Sequence, residues 1–179
     1  IHSKVNMEEV LGPELYTSIS NLDNYIPSKH LKTLDIVKEI KNKGGRVILW
    51  GVFIDSIKRL HSLLDDNGLK GEIIIGETKK NTTNNFESEE FERTRQGIIS
   101  EFKKEDSKLD YIITMPVVLG ESISLHKVCH HSIYFELNYS AGPYIQSRDR
   151  IHRVWLNNGK QVDYETHYYH IISSNSIDE

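Results

Sequence analysis

Four short, predominantly apolar runs, spaced along the chain, predict the strands of a buried sheet. They occupy residues 46–53, 72–76, 109–115 and 132–137. Strands that are covered on both faces carry such unbroken apolar runs, whereas strands with one wet face alternate apolar and polar residues. Residues 164–172 are interpreted as a closing strand near the end of the chain. The pattern therefore favours a mostly parallel sheet.

Amphipathic helices are predicted between these strands. Leucine, isoleucine and valine recur three or four residues apart after Ser28 and again after Ile54, and a further helix, carrying Ile98 and Phe102, is predicted to open at Ser88. Helices that alternate with strands are typical of βαβ units around a parallel sheet. The predicted fold class is α/β.

The patterning divides the chain into a weakly patterned beginning and one domain. Residues 1–30 are interpreted as a linker with a short helix, and residues 31–179 as the domain. A chain of 179 residues is long enough for one domain with a real core. No apolar run approaches the roughly 20 residues that cross a bilayer, so no membrane partner is expected.

The charge balance and the cysteine count narrow the possible partners. A formal net charge of -4 gives no global attraction to nucleic acid, so any such binding needs a local basic groove. A single cysteine, Cys129, excludes an internal disulfide bond and fits a reducing interior.

A histidine-rich segment at residues 126–131, which also contains Cys129, raises the possibility of a zinc site. Thiolate and imidazole are good zinc ligands, but a closed site needs four of them. No second ligand pair of suitable spacing is present, although His167 and His170 could in principle complete a site. We therefore expect no metal, and keep a metal-organised structural domain as an alternative.

Candidate binding groups are expected on the loops that follow the carboxyl ends of the strands, since ligands of open parallel sheets bind there. These loops span residues 76–85, 115–125 and 138–153. The last of them contains Arg150 and Arg153, which on a helix would project from one face. Two guanidinium groups so placed suit a triphosphate, because they bond phosphate oxygens in a fork.

The chain lacks the glycine-rich loop Gly-x-x-x-x-Gly-Lys-Ser/Thr and any Asp-Glu pair that ends an apolar strand. These elements hold a nucleotide and its magnesium ion in P-loop ATPases. If this chain acts on a nucleotide, it supplies arginines to a site that is built elsewhere.

The order of these features resembles the second RecA-like lobe of helicase superfamily two, in particular the switch/sucrose-nonfermenting class of double-stranded DNA translocases. The last motif of that class has the form Gln-x-x-Asp-Arg-x-His-Arg. It stands intact here in Gln146, Asp149, Arg150, His152 and Arg153. The resemblance covers roughly residues 28–179.

Weaker similarities precede that motif in the expected order. Residues 120–125 look like the class motif Gly-x-Gly-Leu-Asn-Leu, with Ser122 and Ser124 in place of glycine and asparagine. Thr78 and Arg95 resemble a threonine and an arginine of the class, with a phenylalanine seven residues after the arginine.

The resemblance implies a three-layer RecA-like domain that closes over ATP and Mg²⁺, both held mainly by an N-terminal RecA-like lobe of the same full-length chain. Arg150 and Arg153 would be arginine fingers, and Gln146 would orient water or a phosphate oxygen. Gly120, Asp149 and His152 are assigned to the same site, with Asp149 holding an arginine and His152 bridging to the 120–125 loop.

Double-stranded DNA is the partner that the resemblance implies. Its backbone would be gripped through Thr78, Arg95, Ser122 and Ser124, and the isolated lobe would be inactive as an ATP hydrolase. A prokaryotic DNA-processing protein, cytoplasmic and nucleoid-associated, is the expected setting. Two alternatives with the same helicase-like fold remain open. One is a non-catalytic module that binds nucleic acid or protein, and the other is a duplex-unwinding RNA helicase.

Overall fold

Alternating strands and helices make up the computed structural model, which describes residues 25–79, 93–119, 123–138, 140–153, 156–157, 160–162 and 164–174. Predictions that concern residues 1–24, including the short helix, fall outside this range. The elements within it are α1 (Ser28–Asn42), β1 (Val47–Trp50), α2 (Ile54–Asp66), β2 (Gly71–Ile74), α3 (Arg95–Lys103), β3 (Tyr111–Thr114), β4 (His131–Tyr134), α4 (Ala141–Arg148), β5 (Leu156–Asn157), β6 (Lys160–Gln161) and β7 (His167–His170).

Five of the strands form one sheet in the order β2-β3-β1-β4-β7, and all four of its pairings are parallel. The expected mostly parallel sheet is therefore confirmed. Each of the four apolar runs overlaps a strand, although each strand is only four residues long. The antiparallel pair β5-β6 lies apart from this sheet and was not predicted.

Helices cover both faces of the sheet and produce three layers. On one face, apolar residues of α1 and α2 pack with Leu49, Ile113 and Ile133 of the sheet. On the other face, α3 packs with Ile48 and Trp50, and Tyr144 of α4 joins the same cluster. The predicted three-layer α/β architecture is thus confirmed, and the core lies on both sides of the buried sheet.

Glycines follow two of the helices, and the start of one helix differs from the prediction. Gly44 and Gly68 follow α1 and α2 with φ angles of 76° and 75°, a left-handed conformation that favours glycine. The helix that carries Ile98 and Phe102, however, begins at Arg95 and not at Ser88. Thr94 is extended there, and its side chain accepts a hydrogen bond from the backbone of Gly97, which makes it the N-cap.

Candidate functional site

The course of the chain after β4 decides where the arginine-rich segment lies. Helix α4 starts past the carboxyl end of β4 and runs back along the sheet, as the hydrogen bond between the Tyr168 hydroxyl and the Arg148 carbonyl, 3.1 Å, shows. The carbonyl of Arg150 then accepts a 2.8 Å hydrogen bond from the backbone of Leu125, which lies before β4. The expectation that the whole 138–153 loop sits past the carboxyl ends of the strands is therefore wrong, because α4 carries its arginines to the amino-end side.

The two arginines do not share a helical face. Helix α4 ends at Arg148, and the amides of Arg150 and Ile151 bond to carbonyls three residues earlier, a tightening that is common in a last helical turn. The prediction that Arg150 and Arg153 project from one face of a helix is wrong for this reason. Backbone turns outside the helix set their directions.

Arg150 and Arg153 differ sharply in environment. Arg150 is only 7% exposed, and its Nη1 donates to the carbonyl of Ile123 at 3.4 Å. Arg153 is exposed, and its Nε donates to the carbonyl of Asp149 at 3.3 Å. Burial lowers the pKa of Arg150, the charge of nearby Arg153 lowers it further, and Asp149 acts in the opposite direction. Residues 149–153, which we call the arginine turn, therefore concentrate positive charge.

Ser124 and His126 lie on the neighbouring segment before β4. The Ser124 hydroxyl is 2.6 Å from Nδ1 of His126. Burial lowers the pKa of His126, and the charges of Lys127 and Arg153 lower it further, so the imidazole is held close to the arginine turn in its neutral form. Of the predicted residues in the 120–125 motif, Gly120 and Ser122 lie outside the described residues.

The other members of the predicted motif surround the turn in different ways. Gln146 is exposed on α4, and Asp149, also exposed, uses its carbonyl to hold Arg153. Nδ1 of His152 lies 3.4 Å from the hydroxyl of Thr166, on the segment that leads into β7. The predicted links of Asp149 to an arginine through its carboxylate, and of His152 to the 120–125 loop, stay predictions.

Thr78 and Arg95 meet each other at a different place, past the carboxyl end of β2. The guanidinium of Arg95 donates to the carbonyls of Ile75, Gly76 and Thr78 at 3.3, 3.0 and 3.0 Å. The Thr78 hydroxyl accepts a hydrogen bond from the backbone of Ile75 at 3.0 Å. We call this arrangement the β2 clamp. β2 is three and four strands from β4 and β7, which alone puts about 14–19 Å between the clamp and the arginine turn across the sheet at usual strand spacing, and the two also lie at opposite ends of the strands.

The histidine-rich segment, residues 126–131, packs against neighbouring parts of the sheet. The Cys129 thiol is fully buried and donates towards the carbonyls of His131 and Arg46, and burial raises its pKa to about 12. The rings of His131 and His167 stack with centroids 4.9 Å apart. Within the described residues no group of three potential metal ligands is found. A buried neutral thiol and stacked imidazoles do not favour the alternative of a metal-organised domain.

Two residues with evident local roles were not singled out from the sequence. The Tyr164 hydroxyl accepts a hydrogen bond from the amide of Arg153 at 2.7 Å and donates one to the Arg153 carbonyl at 2.6 Å. The carboxylate of Glu136 accepts hydrogen bonds from the amides of Val52 and Phe53, 2.7 and 2.9 Å away, where α2 begins. No signal in the sequence marks either contact, because each joins residues that only the fold brings together.

The all-parallel five-stranded sheet, its three layers and the arginine turn beside it define an α/β RecA-like fold of the kind found in ATPase lobes. The C-terminal part of the Fun30 ATPase domain shares this fold: the superposition has a TM-score of 0.66 at 22% sequence identity and covers 92% of this chain and 51% of the Fun30 chain.

A curated protein of Methanocaldococcus jannaschii, named putative ATP-dependent RNA helicase MJ1505, is 32% identical over 124 residues. That alignment covers 68% of this chain and 15% of the relative, so the similarity concerns a small part of the relative's length. A scan against protein-family models finds no match. Among the residues that the structure describes, none of the helices has the length and apolarity to span a bilayer.

Proposed function

We propose that this chain is the second RecA-like lobe of a nucleic-acid-dependent ATP hydrolase. ATP and Mg²⁺ would be held mainly by a first lobe, and this lobe would contribute arginines when the two lobes close. The fold shared with the C-terminal part of an ATPase domain supports this proposal, as does the similarity to a protein named as an ATP-dependent helicase.

The observation that carries the proposal is the placement of two arginines three residues apart in the arginine turn, with Arg150 buried against the carbonyl of Ile123 and Arg153 exposed beside it. Arg153 acts on Arg150 as a nearby positive charge, and Asp149 is the opposing charge that acts on Arg150. Keeping two guanidinium groups close together costs electrostatic energy, and a polyanion placed against them would relieve that cost. The γ-phosphate of a nucleotide bound by the first lobe is a polyanion of this kind.

Arg150 and Arg153 would have different roles in ATP hydrolysis. Arg153 is exposed, so it can reach across a cleft and stabilise charge that develops during phosphoryl transfer. Arg150 is buried against the carbonyl of Ile123 and would add its charge from behind Arg153. Gln146, exposed one helical turn earlier, would orient water or a phosphate oxygen.

The nucleic acid would lie elsewhere on the lobe. The β2 clamp sits several strands from the arginine turn, which suits a track that is separate from the ATP cleft. Since Arg95 already donates to three carbonyls, we expect it to shape the 76–79 loop, and the loop amides together with Thr78 to contact the phosphate backbone. Double-stranded DNA is our proposed track, and movement along it the proposed outcome of hydrolysis.

The test compares the isolated chain with the full-length protein that contains it. We expect the isolated chain to hydrolyse ATP no faster than a buffer blank, and the full-length protein to be stimulated by double-stranded DNA. Robust turnover by the isolated chain would contradict the two-lobe account.

The same assay distinguishes the proposed DNA-stimulated ATP hydrolase from the two alternative functions. Stimulation by duplex RNA in preference to DNA would favour the RNA helicase. No hydrolysis by the full-length protein with any nucleic acid would favour the non-catalytic binding module.

A further inference from the structure

The main chain of Arg153 is held from both sides by one phenol group. The Tyr164 hydroxyl accepts from the Arg153 amide and donates to the Arg153 carbonyl, at 2.7 and 2.6 Å. Both distances lie within the ordinary range for hydrogen bonds of these kinds. The two contacts use the donor and an acceptor site of the hydroxyl on a single residue, so they fix the orientation of the backbone from which the Arg153 side chain leaves.

This support matters because Arg153 lies outside any helix. Helix α4 ends five residues earlier, at Arg148, and residues 152–153 have no regular secondary structure. A helix would fix the direction of a side chain through its own hydrogen-bond ladder, whereas an irregular segment depends on tertiary contacts. A guanidinium that must meet a developing charge loses much of its effect when misplaced by about 1 Å.

Tyr164 is itself anchored to the sheet. Its ring meets the ring of His130 edge to face, with centroids 4.7 Å apart. His130 directly precedes β4, and its carbonyl accepts a 2.8 Å hydrogen bond from the amide of His167, where β7 begins. Tyr164 therefore transmits the position of the β4-β7 pair to the arginine turn.

We infer that Tyr164 is a positioning residue for Arg153. Through its hydroxyl group, Tyr164 affects the rate of ATP hydrolysis without touching the nucleotide. The inference rests on the proposed role of Arg153. Tyr164 lies outside the arginine-rich motif, and its role would be to orient Arg153, the last residue of that motif.

The test is Tyr164→Phe in the full-length protein, which removes the hydroxyl and keeps the ring that packs on His130. We expect the DNA-stimulated kcat to fall about tenfold, the factor that corresponds to the net value of roughly one hydrogen bond in the transition state. The KM for ATP and the melting temperature should stay close to those of the parent. Tyr168→Phe is the matched control, because it removes a hydroxyl that donates to the carbonyl of Arg148, outside the Arg153 contact, and it should leave kcat unchanged.

A second pair of variants separates this inference from the proposed function. Adding Tyr164→Phe to an Arg153→Ala background should produce no further loss, because the tyrosine acts through that arginine. A tenfold loss in that background, or an unchanged kcat in Tyr164→Phe alone while Arg153→Ala is impaired, would overturn the inference and leave the proposed function standing. An unchanged rate in Arg153→Ala would overturn both.

Discussion

Arg95 in the β2 clamp and Arg153 in the arginine turn differ in the environment of their guanidinium groups. The guanidinium of Arg95 is directed inward and donates to three loop carbonyls of residues 75–78. Arg153 is held by its backbone, through Tyr164, while its side chain is exposed and, among the residues that the structure describes, makes one long hydrogen bond to a carbonyl. The guanidinium of Arg95 is committed to its own loop, whereas the guanidinium of Arg153 has most of its donors available as far as the described part of the chain is concerned.

This difference separates a structural arginine from a candidate ligand-binding one. Both match positions of a helicase-like pattern in the sequence, and both are expected there to contact a phosphate. A guanidinium that shapes a loop acts on phosphate indirectly, through the backbone groups that it orients. An exposed guanidinium beside another positive charge is suited to bind the anion itself.

Removal of the Arg95 guanidinium is expected to give the larger change in stability. Arg95→Ala would leave three carbonyls at the β2 clamp without their donor, and we expect a loss of about 2–3 kcal/mol in the free energy of unfolding, since hydrogen bonds to charged groups are among the stronger ones. The melting temperature should fall by about 5–10 °C.

Arg153→Ala is the control for that measurement, because the exposed side chain of Arg153 makes few contacts with the described residues. We expect its melting temperature to stay within about 2 °C of the parent. Thermal unfolding of the two variants side by side tests the comparison. Equal melting temperatures would mean that the β2 clamp contributes nothing beyond surface charge.

A smaller effect should appear with pH on the amino-end side of the sheet, where the arginine turn lies. Burial, together with the charges of the neighbouring His167, His130 and Lys43, lowers the pKa of His131 to about 4. Tyr169 stacks on the same ring. An unfolded chain binds a proton at this histidine near pH 6.5. The stability that neutral His131 contributes is therefore fully present above that pH and is lost as the pH falls towards 4.

Thermal unfolding at pH 7.5 and at pH 5 measures this loss. His131→Gln should show a smaller drop in melting temperature between the two values than the parent. His152→Gln, which replaces an exposed ring, should retain the drop of the parent. If the two variants behave alike, His131 does not account for the acid sensitivity of this side of the sheet.

The sequence predicted the layers of this fold well because burial on two faces leaves a strong pattern. The apolar runs around Ile48, Ile112 and Ile133 each coincide with most of a strand of the parallel sheet. Gly44 and Gly68 mark helix ends because their left-handed backbone is costly for other residues.

The candidate site was less predictable because non-local contacts decide its geometry. The spacing of Arg150 and Arg153 fits a helix, but α4 ends at Arg148, and the following turn is bonded to Leu125. Periodicity contains no information about that pairing. The early start that was predicted for the helix at Ser88 failed for a similar reason, since Thr94 caps it locally.

Arg95 and Tyr164 also show that the sequence does not reveal contacts that only the fold creates. A match to a motif identifies an arginine, but only the fold shows that its donors are used within the loop. Tyr164 was predicted to begin a strand, yet β7 begins at His167 and the tyrosine serves the arginine turn instead.

The most direct test of the central claim is the DNA-stimulated ATP turnover of Arg153→Ala in the full-length protein. Lys58→Ala is the matched control, because it removes an exposed positive charge on α2, on the opposite face of the sheet. We predict a fall in kcat of about 10³-fold for Arg153→Ala with little change in ATP affinity, the usual size of an arginine-finger effect, and a parental rate for Lys58→Ala. A near-parental rate for Arg153→Ala would show that the arginine is a surface charge without a role in hydrolysis.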